Sequence, residues 1–124
     1  MTAGLATLRY LRANRSEVYG GLERSGETLR AGIDRALANG GVDAHTTGMG
    51  SLFLTHFGPA PRNAEESAGE DTERSRAYAL FMMANGDFLL PGHAGGISTA
   101  HTDEDLQRRV SLSGKFAESK KSRK

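Results

Sequence analysis

Four histidines are the side chains of this 124-residue chain that most readily bind a metal ion or transfer a proton near neutral pH: His45, His56, His93 and His101. A zinc site needs several such ligands to converge, and two histidines on one helix usually lie four residues apart. No pair has that spacing. We therefore expect no metal site, a core or edge position for His56, and a hydrogen bond at a helix start for His101. A small metal-dependent hydrolase is the least supported function considered.

His93 differs from the other histidines because it lies in a glycine-rich loop, Pro91-Gly92-His93-Ala94-Gly95-Gly96. Loops carry binding residues more often than the elements that they connect. The loop lacks the GK[ST] ending of a phosphate-binding loop and does not have the GxGxxG pattern. His93 is therefore a candidate for contact with a ligand, and a flexible turn between two short strands is the alternative.

Nucleophiles and acid pairs do not form a recognisable active site in this sequence. The chain has no cysteine, and Ser51 does not lie in a GxSxG motif. A lysine that forms a Schiff base must sit in a desolvated pocket. All four lysines lie near the end of the chain, at Lys115, Lys120, Lys121 and Lys124. We assign no catalytic residue and no cofactor-binding residue within the chain.

Hydrophobic spacing predicts two helices at the start of the chain. The first covers residues 2–13, and the second begins near Ser16 and ends at Asn39-Gly40-Gly41, a strong stop signal. Asn14 and Glu17 have the spacing of a capping box. Gly26 lies in the apolar stripe of the second helix, where glycine costs about 1 kcal/mol relative to alanine. We expect another stretch of backbone to pass close to Gly26.

The rest of the sequence predicts short strands mixed with helices. Two strands are predicted at 42–47 and 50–57, the second covered on both faces, followed by a loop at 58–70. A helix is predicted from Asp71 or Thr72 to about Asn85, with Ala77, Leu80 and Ala84 widening its apolar face. Strands at 87–90 and 97–100 and a helix capped by Thr102 complete the order. This order predicts an α+β fold in which helices cover a small antiparallel sheet.

Charge divides the chain into a mildly acidic body and a basic end. Residues 115–124 carry five Lys or Arg and one Glu, whereas the whole chain has a net charge of only +1. This composition predicts a solvated, disordered tail over 115–124 and argues against specific nucleic-acid binding by the body. No stretch is long and apolar enough for a membrane helix, and no signal peptide is evident.

Several segments, in this order, resemble the C-terminal part of class III, PLP-dependent aminotransferases, in particular the glutamate-1-semialdehyde aminomutase branch. The segments are TAGLATLRYLR, LERSGETLRAGI, GVDAHTTGMGSLFLTHF, GPAPRNAEE and DTERSRAYALFMMANGDFLLPGHAGGISTAHTDEDLQRRV. The resemblance implies the small domain of a fold type I enzyme. It also implies a cytoplasmic homodimer in which a missing large domain carries the lysine that binds pyridoxal 5'-phosphate (PLP). Neither a membrane nor a specific nucleic acid is expected as a partner.

The resemblance also assigns roles to a few residues of this chain. Loop 91–96 would line the substrate pocket, with His93, Gly95 and Gly96 in its wall. Arg62 and Asn63 match a PxN-type loop and are expected to have a structural role. The glutamate that family members carry in the pocket loop is missing near His93, and the loop is about two residues shorter. A related aminotransferase therefore stays as open as the aminomutase.

The domain division implied by the resemblance has three parts. Residues 1–14 would be the remnant of an interdomain helix or linker, residues 15–114 the C-terminal small domain, and residues 115–124 the basic tail. Such a fragment of an aminotransferase or aminomutase is expected to be inactive alone. The alternative is a free-standing binding or interaction module derived from this domain.

Overall fold

A computed structural model describes residues 2–121 of the chain. Its elements are α1 (Thr2–Ala13), α2 (Arg15–Asn39), β1 (Ala44–Thr47), β2 (Leu52–Phe57), α3 (Ala64–Ala68), α4 (Thr72–Ala84), β3 (Gly95–Gly96) and α5 (Asp103–Lys121). The three strands form one antiparallel sheet in the order β1-β2-β3. The predicted α+β class with a small antiparallel sheet is confirmed. None of the described helices is both long and apolar enough to cross a membrane.

Helix α2 presents its apolar stripe to the core, as its spacing predicts. Leu29, Ile33 and Leu37 are fully enclosed. A β-carbon at Gly26 would overlap the carbonyl oxygen of Gly50, so the expected close approach of another backbone segment is confirmed. The helix ends at the predicted stop, where Gly41 adopts a φ of 75°.

The predicted capping box at Asn14 is wrong. The side chain of Asn14 makes no capping hydrogen bond to α2. Its backbone N–H and its side-chain amide instead both donate to the carbonyl oxygen of Tyr10, at 3.0 and 2.9 Å. Asn14 therefore closes the end of α1, and α2 follows almost without interruption.

The sheet buries one face against helices, and its other face is exposed at Leu52 but buried at His56. In β2, Phe53 and Phe57 point toward the helices; Phe57 contacts Tyr78 of α4 and Phe116 of α5 edge to face, at centroid distances of 5.3 and 6.0 Å. On the opposite face Leu52 is 53% exposed. The expectation that β2 is covered on both sides is wrong at Leu52, because the contacts with α4 and α5 lie on the face that carries Phe53 and Phe57.

Helix α4 begins at the predicted cap, where the Asp71 carboxylate accepts a hydrogen bond from the Arg74 N–H at 2.9 Å. Tyr78 and Met82 are buried. Of the three residues predicted to widen the apolar face, Ala77 packs against the core, whereas Leu80 and Ala84 are exposed. The Tyr78 hydroxyl lies 2.8 Å from the Ser113 hydroxyl. Burial raises the pKa of Tyr78, so the phenol stays protonated.

Three predictions between the hairpin and α5 need correction. Residues 58–70 contain the short helix α3, with Asn63 as its N-cap. Residues 87–90 form no strand. The strand predicted at 97–100 lies earlier, at Gly95–Gly96, where the chain pairs with Phe53 and Leu52. After a last hydrogen bond from the Ile97 N–H to the Ser51 carbonyl oxygen, the chain turns toward α5.

Helix α5 begins as predicted. The Thr102 hydroxyl accepts a hydrogen bond from the Asp105 N–H at 3.3 Å, and the Asp105 carboxylate accepts one from the Thr102 N–H at 2.8 Å. The hydrogen bonds that Thr102 donates, from its backbone N–H and its hydroxyl, lower the pKa of Asp105. This reciprocal pair satisfies donors at the start of the helix that would otherwise lack partners.

The prediction of a disordered tail over 115–124 is wrong for residues 115–121. Helix α5 continues to Lys121, and both Phe116 and Ala117 are enclosed in the core. The physical reason is that Leu112, Phe116 and their neighbours extend the apolar stripe of α5 beneath a charged outer surface. Residues 122–124 lie outside the described part of the chain.

Candidate functional site

A cleft of about 370 Å³ lies between the end of α4, strand β3 and the start of α5. Its walls include Phe53, Asp87, Gly95, Gly96, His101 and Arg109. This volume is at the lower end of the range for pockets that bind small ligands. The cleft brings together parts of the chain that are distant in sequence, and Arg109 lies in its wall.

Arg109 is an arginine with unusual surroundings for a surface helix. It is 9% exposed, and its Nη2 atom pairs with the Asp87 carboxylate. Its guanidinium carbon lies 4.8 Å from the centroid of the Phe53 ring, which places the cation over the aromatic face. Its Nη1 atom is buried and has no hydrogen-bond partner among the described residues. A buried donor without an acceptor is costly, so this atom favours an acceptor from outside the chain.

Gly95 and Gly96 both line this cleft, as two of the three residues predicted for a pocket wall. A β-carbon at Gly95 would overlap the ring of Phe53, which explains the glycine there. At Gly96 the nearest atom to such a carbon is Leu52 Cδ2, at 3.9 Å. Gly95 therefore lets the third strand pass directly beside the aromatic ring.

His93, the third residue predicted for that wall, lies outside the Arg109 cleft. It is exposed, and its backbone N–H donates to the Leu90 carbonyl oxygen at 3.1 Å. It lines a separate crevice of about 10 Å³ together with Leu54 and Leu90, room for about one water molecule. The structure thus separates His93 from Gly95 and Gly96, and a shared substrate wall stays a prediction.

His56 lies at the centre of a hydrogen-bond network that no local sequence pattern indicates. Its Nε2 atom is 2.9 Å from the Thr47 hydroxyl, and its Nδ1 atom is 2.9 Å from the Glu70 carboxylate. The other oxygen of Glu70 accepts the Phe57 N–H at 3.1 Å. His56 is buried at 5% exposure, so the expectation of a core histidine is confirmed. Its partner Glu70 is 14 residues away, beyond any local sequence signal.

The order hydroxyl, imidazole, carboxylate also occurs in hydrolytic triads, where the hydroxyl must face the substrate. A cleft of about 460 Å³ beside these three residues is lined by His56 and Glu70 but not by Thr47. The hydroxyl therefore does not face this cleft. We interpret the three residues as a clamp that fixes segment 58–70 to the sheet.

The remaining histidines occupy separate environments. His101 Nδ1 accepts a hydrogen bond from the Ser98 N–H at 3.0 Å, in the turn before α5, and the predicted hydrogen bond near the helix start is confirmed. His45 lies 3.6 Å from the Asp43 carboxylate at the surface. Over residues 2–121, no three His, Asp or Glu side chains are grouped as a metal site.

Arg62 and Asn63 have the structural role that was expected. The Asn63 side chain accepts a hydrogen bond from the Glu66 N–H at 2.9 Å and so caps α3. Arg62 donates to both oxygens of the Glu66 carboxylate, and these hydrogen bonds lower the pKa of Glu66. Both residues therefore shape segment 58–70.

The described lysines do not fit the requirements of PLP. Lys115 and Lys120 are exposed on α5, and Lys120 Nζ lies over the ring of Phe116 at 5.3 Å. A Schiff-base lysine needs a desolvated pocket that lowers its pKa. Neither residue has such surroundings, so we derive no step of cofactor chemistry from this part of the chain.

Sequence comparison finds relatives that match nearly the whole chain. It is 32% identical over 112 residues to a glutamate-1-semialdehyde 2,1-aminomutase of Methanosarcina acetivorans, covering 89% of this chain and 26% of the relative. It is 34% identical over 118 residues to the aminomutase of Desulfatibacillum aliphaticivorans, covering 93% and 27%. The chain thus spans about a quarter of the length of these curated relatives. No model of a protein family matches it.

Structural comparison leads to enzymes of the same kind. An omega-transaminase from Sphaerobacter thermophilus has a TM-score of 0.76 and 28% identity, over 93% of this chain and 26% of that one. A glutamate-1-semialdehyde aminomutase from Pseudomonas aeruginosa in complex with PMP has a TM-score of 0.71 and 24% identity, over 86% and 25%, and so supports the fold alone.

Proposed function

We propose that this chain is the small C-terminal domain of a PLP-dependent enzyme that moves an amino group, because it is similar to one segment of glutamate-1-semialdehyde aminomutases and of an omega-transaminase. One observation carries the proposal: about nine-tenths of the chain aligns with only a quarter of each relative. The division into residues 1–14, 15–114 and 115–124 is part of this proposal, with the last boundary modified because α5 continues to Lys121.

Uncovered apolar surface supports a missing large domain. We use the name outer patch for four apolar residues on and beside the Leu52 face of the sheet, Met49, Leu52, Leu54 and Leu90. Met49, Leu52 and Leu90 are at least half exposed, and Leu54 is partly exposed. Helix α1 has no buried residue and exposes Leu5 and Leu8. Large exposed apolar surfaces mark contacts with another protein or domain.

In the proposed enzyme, the large domain would supply the lysine that binds PLP. The cofactor, when bound, acts as the electron sink for amino transfer. To the wall that closes the substrate side, this chain would contribute Gly95 and Gly96, which line the Arg109 cleft, and His93, which lines a separate crevice. The substrate would be an amino acid or carbonyl compound of the kind that aminomutases and transaminases use. The full enzyme would be a cytoplasmic homodimer. The chain alone would be inactive.

The size of the native polypeptide tests this proposal. An antibody raised against residues 2–121 should detect a product about four times as long as this chain, since the chain matches 26% of its relative. The purified 124-residue chain should show no amino transfer and no Schiff-base absorbance with added PLP. Amino transfer by the chain alone would disprove its dependence on a large domain.

A free-standing binding module is the alternative, and the same exposed patch is compatible with it. A native product of 13.3 kDa that accumulates in cells would favour this alternative. It would also be favoured by a stable, monomeric chain that binds a separate protein saturably through the outer patch.

A further inference from the structure

We propose that the cleft around Arg109 binds a small aliphatic monocarboxylate, held by the guanidinium group of Arg109. This inference concerns the 124-residue chain itself and does not depend on the proposed function. It rests on an unpaired buried donor, on the charges that surround it and on the apolar part of the cleft wall.

The unpaired donor is the Nη1 atom of Arg109. The Asp87 carboxylate pairs with the Nη2 atom, and the Phe53 ring covers a face of the guanidinium group. Neither group supplies an acceptor to Nη1, which is buried without a partner in the described chain. Guanidinium groups bind carboxylates through two N–H donors in one plane, so an incoming carboxylate can share Arg109 with Asp87.

The surrounding charges favour an anion with a single charge. Two arginines, Arg108 and Arg109, and two acids, Asp87 and Asp105, line the cleft, so their formal charges cancel. Arg108 already donates to the Asn85 carbonyl oxygen at 2.6 Å. The carboxylates of Asp87 and Asp105 repel any anion in the cleft, and no surplus of positive charge offsets this repulsion. The repulsion is stronger for a doubly charged phosphate than for a monocarboxylate, which carries a single charge.

Part of the cleft wall is apolar, although polar atoms make up the larger share of it. Leu29, Phe53, Ile97 and Leu106 line it beside the bare backbone of Gly95 and Gly96. Such walls accept a short hydrocarbon stem and gain from its removal from water. A carboxylate with an aliphatic stem therefore matches both the donor and its surroundings.

The experiment is a titration of the 124-residue chain with butyrate, followed by amide NMR signals. Butanol and butylamine, which carry the same stem without the negative charge, serve as control ligands. Butyrate should shift the signals of Gly95, Gly96 and Arg109 saturably, and the controls should not. Shifts that stay linear, or that butanol reproduces, would overturn the proposal.

Two variants should move the affinity in opposite directions. Arg109→Gln should weaken butyrate binding at least tenfold, because it removes the charge and the donor. Asp87→Asn should tighten binding several-fold, because it removes the carboxylate that competes for Arg109. Arg76→Gln, an exposed arginine outside the cleft lining, should leave the affinity unchanged.

The Asp87→Asn variant keeps the test decisive if Arg109→Gln does not fold. A gain in affinity cannot come from unfolding, and circular dichroism checks that each variant retains its helices. Unchanged affinity in folded Asp87→Asn, or in folded Arg109→Gln, would refute the assignment to Arg109.

Discussion

Gly26 determines how closely α2 approaches the turn between β1 and β2. The carbonyl oxygen of Gly50 occupies the place of a side chain at this position, and Arg30 Nη1 donates to the same oxygen at 3.0 Å. Backbone cannot move aside as a flexible side chain can. The contact thus requires glycine, although glycine weakens a helix.

Gly26→Ala should therefore lower the free energy of unfolding by about 1–3 kcal/mol, because the added methyl group forces α2 and the turn apart. Urea denaturation measures the change. Gly21→Ala is the matched control: it lies in the same helix with no atom within 4 Å of its β-carbon, and should stabilise by about 0.5–1 kcal/mol. Equal effects of the two substitutions would contradict the close contact.

Asp105 makes the stability of the chain depend on pH. Hydrogen bonds donated by the Thr102 backbone N–H and hydroxyl lower its pKa, so the folded state binds its proton less readily than the unfolded state. The stabilisation is complete above the unfolded pKa, about 3.9, and is lost as pH falls through the lower folded pKa.

Asp105→Asn should flatten the loss of stability between about pH 4 and the acid limit of folding. Urea denaturation at a series of pH values checks this. Glu104→Gln removes an acid from the same helical turn but leaves the hydrogen bonds between Thr102 and Asp105 intact. A pH profile of Asp105→Asn that matches the unsubstituted chain, with Glu104→Gln flattened instead, would reverse the assignment.

At the scale of elements, the clamp of Thr47, His56 and Glu70 joins segment 58–70 to the sheet. Glu70 binds both the His56 ring and the Phe57 N–H, so one side chain holds the end of the segment against β2. A carboxylate in two hydrogen bonds in a largely buried place is expensive to remove.

Glu70→Ala should cost about 1–3 kcal/mol in unfolding free energy, because it leaves the buried His56 ring without its acceptor. It should also speed hydrogen exchange at the Phe57 N–H and across residues 58–70. Glu65→Ala, an exposed residue of α3, provides the comparison. Unchanged exchange in Glu70→Ala would mean that α3 holds the segment without the clamp.

The elements with long, regular hydrophobic spacing could be predicted from the sequence. Helix α2 repeats apolar residues over many turns, and its stop at Gly40 and Gly41 is local chemistry. Strand β3 could not be placed, because its two glycines carry no pattern and depend on pairing with Phe53 and Leu52. The end of α5 was missed because its many charges hid the spacing that buries Phe116.

The candidate site was predictable only in part, because its residues are brought together by contacts between distant segments. Gly95 and Gly96 lie in the cleft with Arg109, whereas His93 lines a separate crevice. The pairing of Arg109 with Asp87 joins residues 22 positions apart, and nothing local in either segment indicates it. Partners of this kind follow from the packing of α5 against the segment that follows α4, which the sequence alone does not specify.

At the scale of the whole molecule, the outer patch should govern self-association of the isolated chain. Leu52→Ser should reduce aggregation and binding of a hydrophobic dye, while changing the free energy of unfolding by less than about 0.5 kcal/mol. Leu80→Ser is the matched control, since Leu80 is equally exposed on α4, outside the patch. A large loss of stability in Leu52→Ser would place Leu52 in the core instead.

The packing of α5 has a consequence for the order of events during protein synthesis. Ala117 lies against Gly40, Val110 against Gly32, and Phe116 against Phe57, Tyr78 and Phe81. These contacts join segments separated by up to about eighty positions, so the core cannot close until residues 110–117 have emerged from the ribosome. Until then, α2 and the hairpin expose their apolar faces, and that interval is when the nascent chain most needs a chaperone.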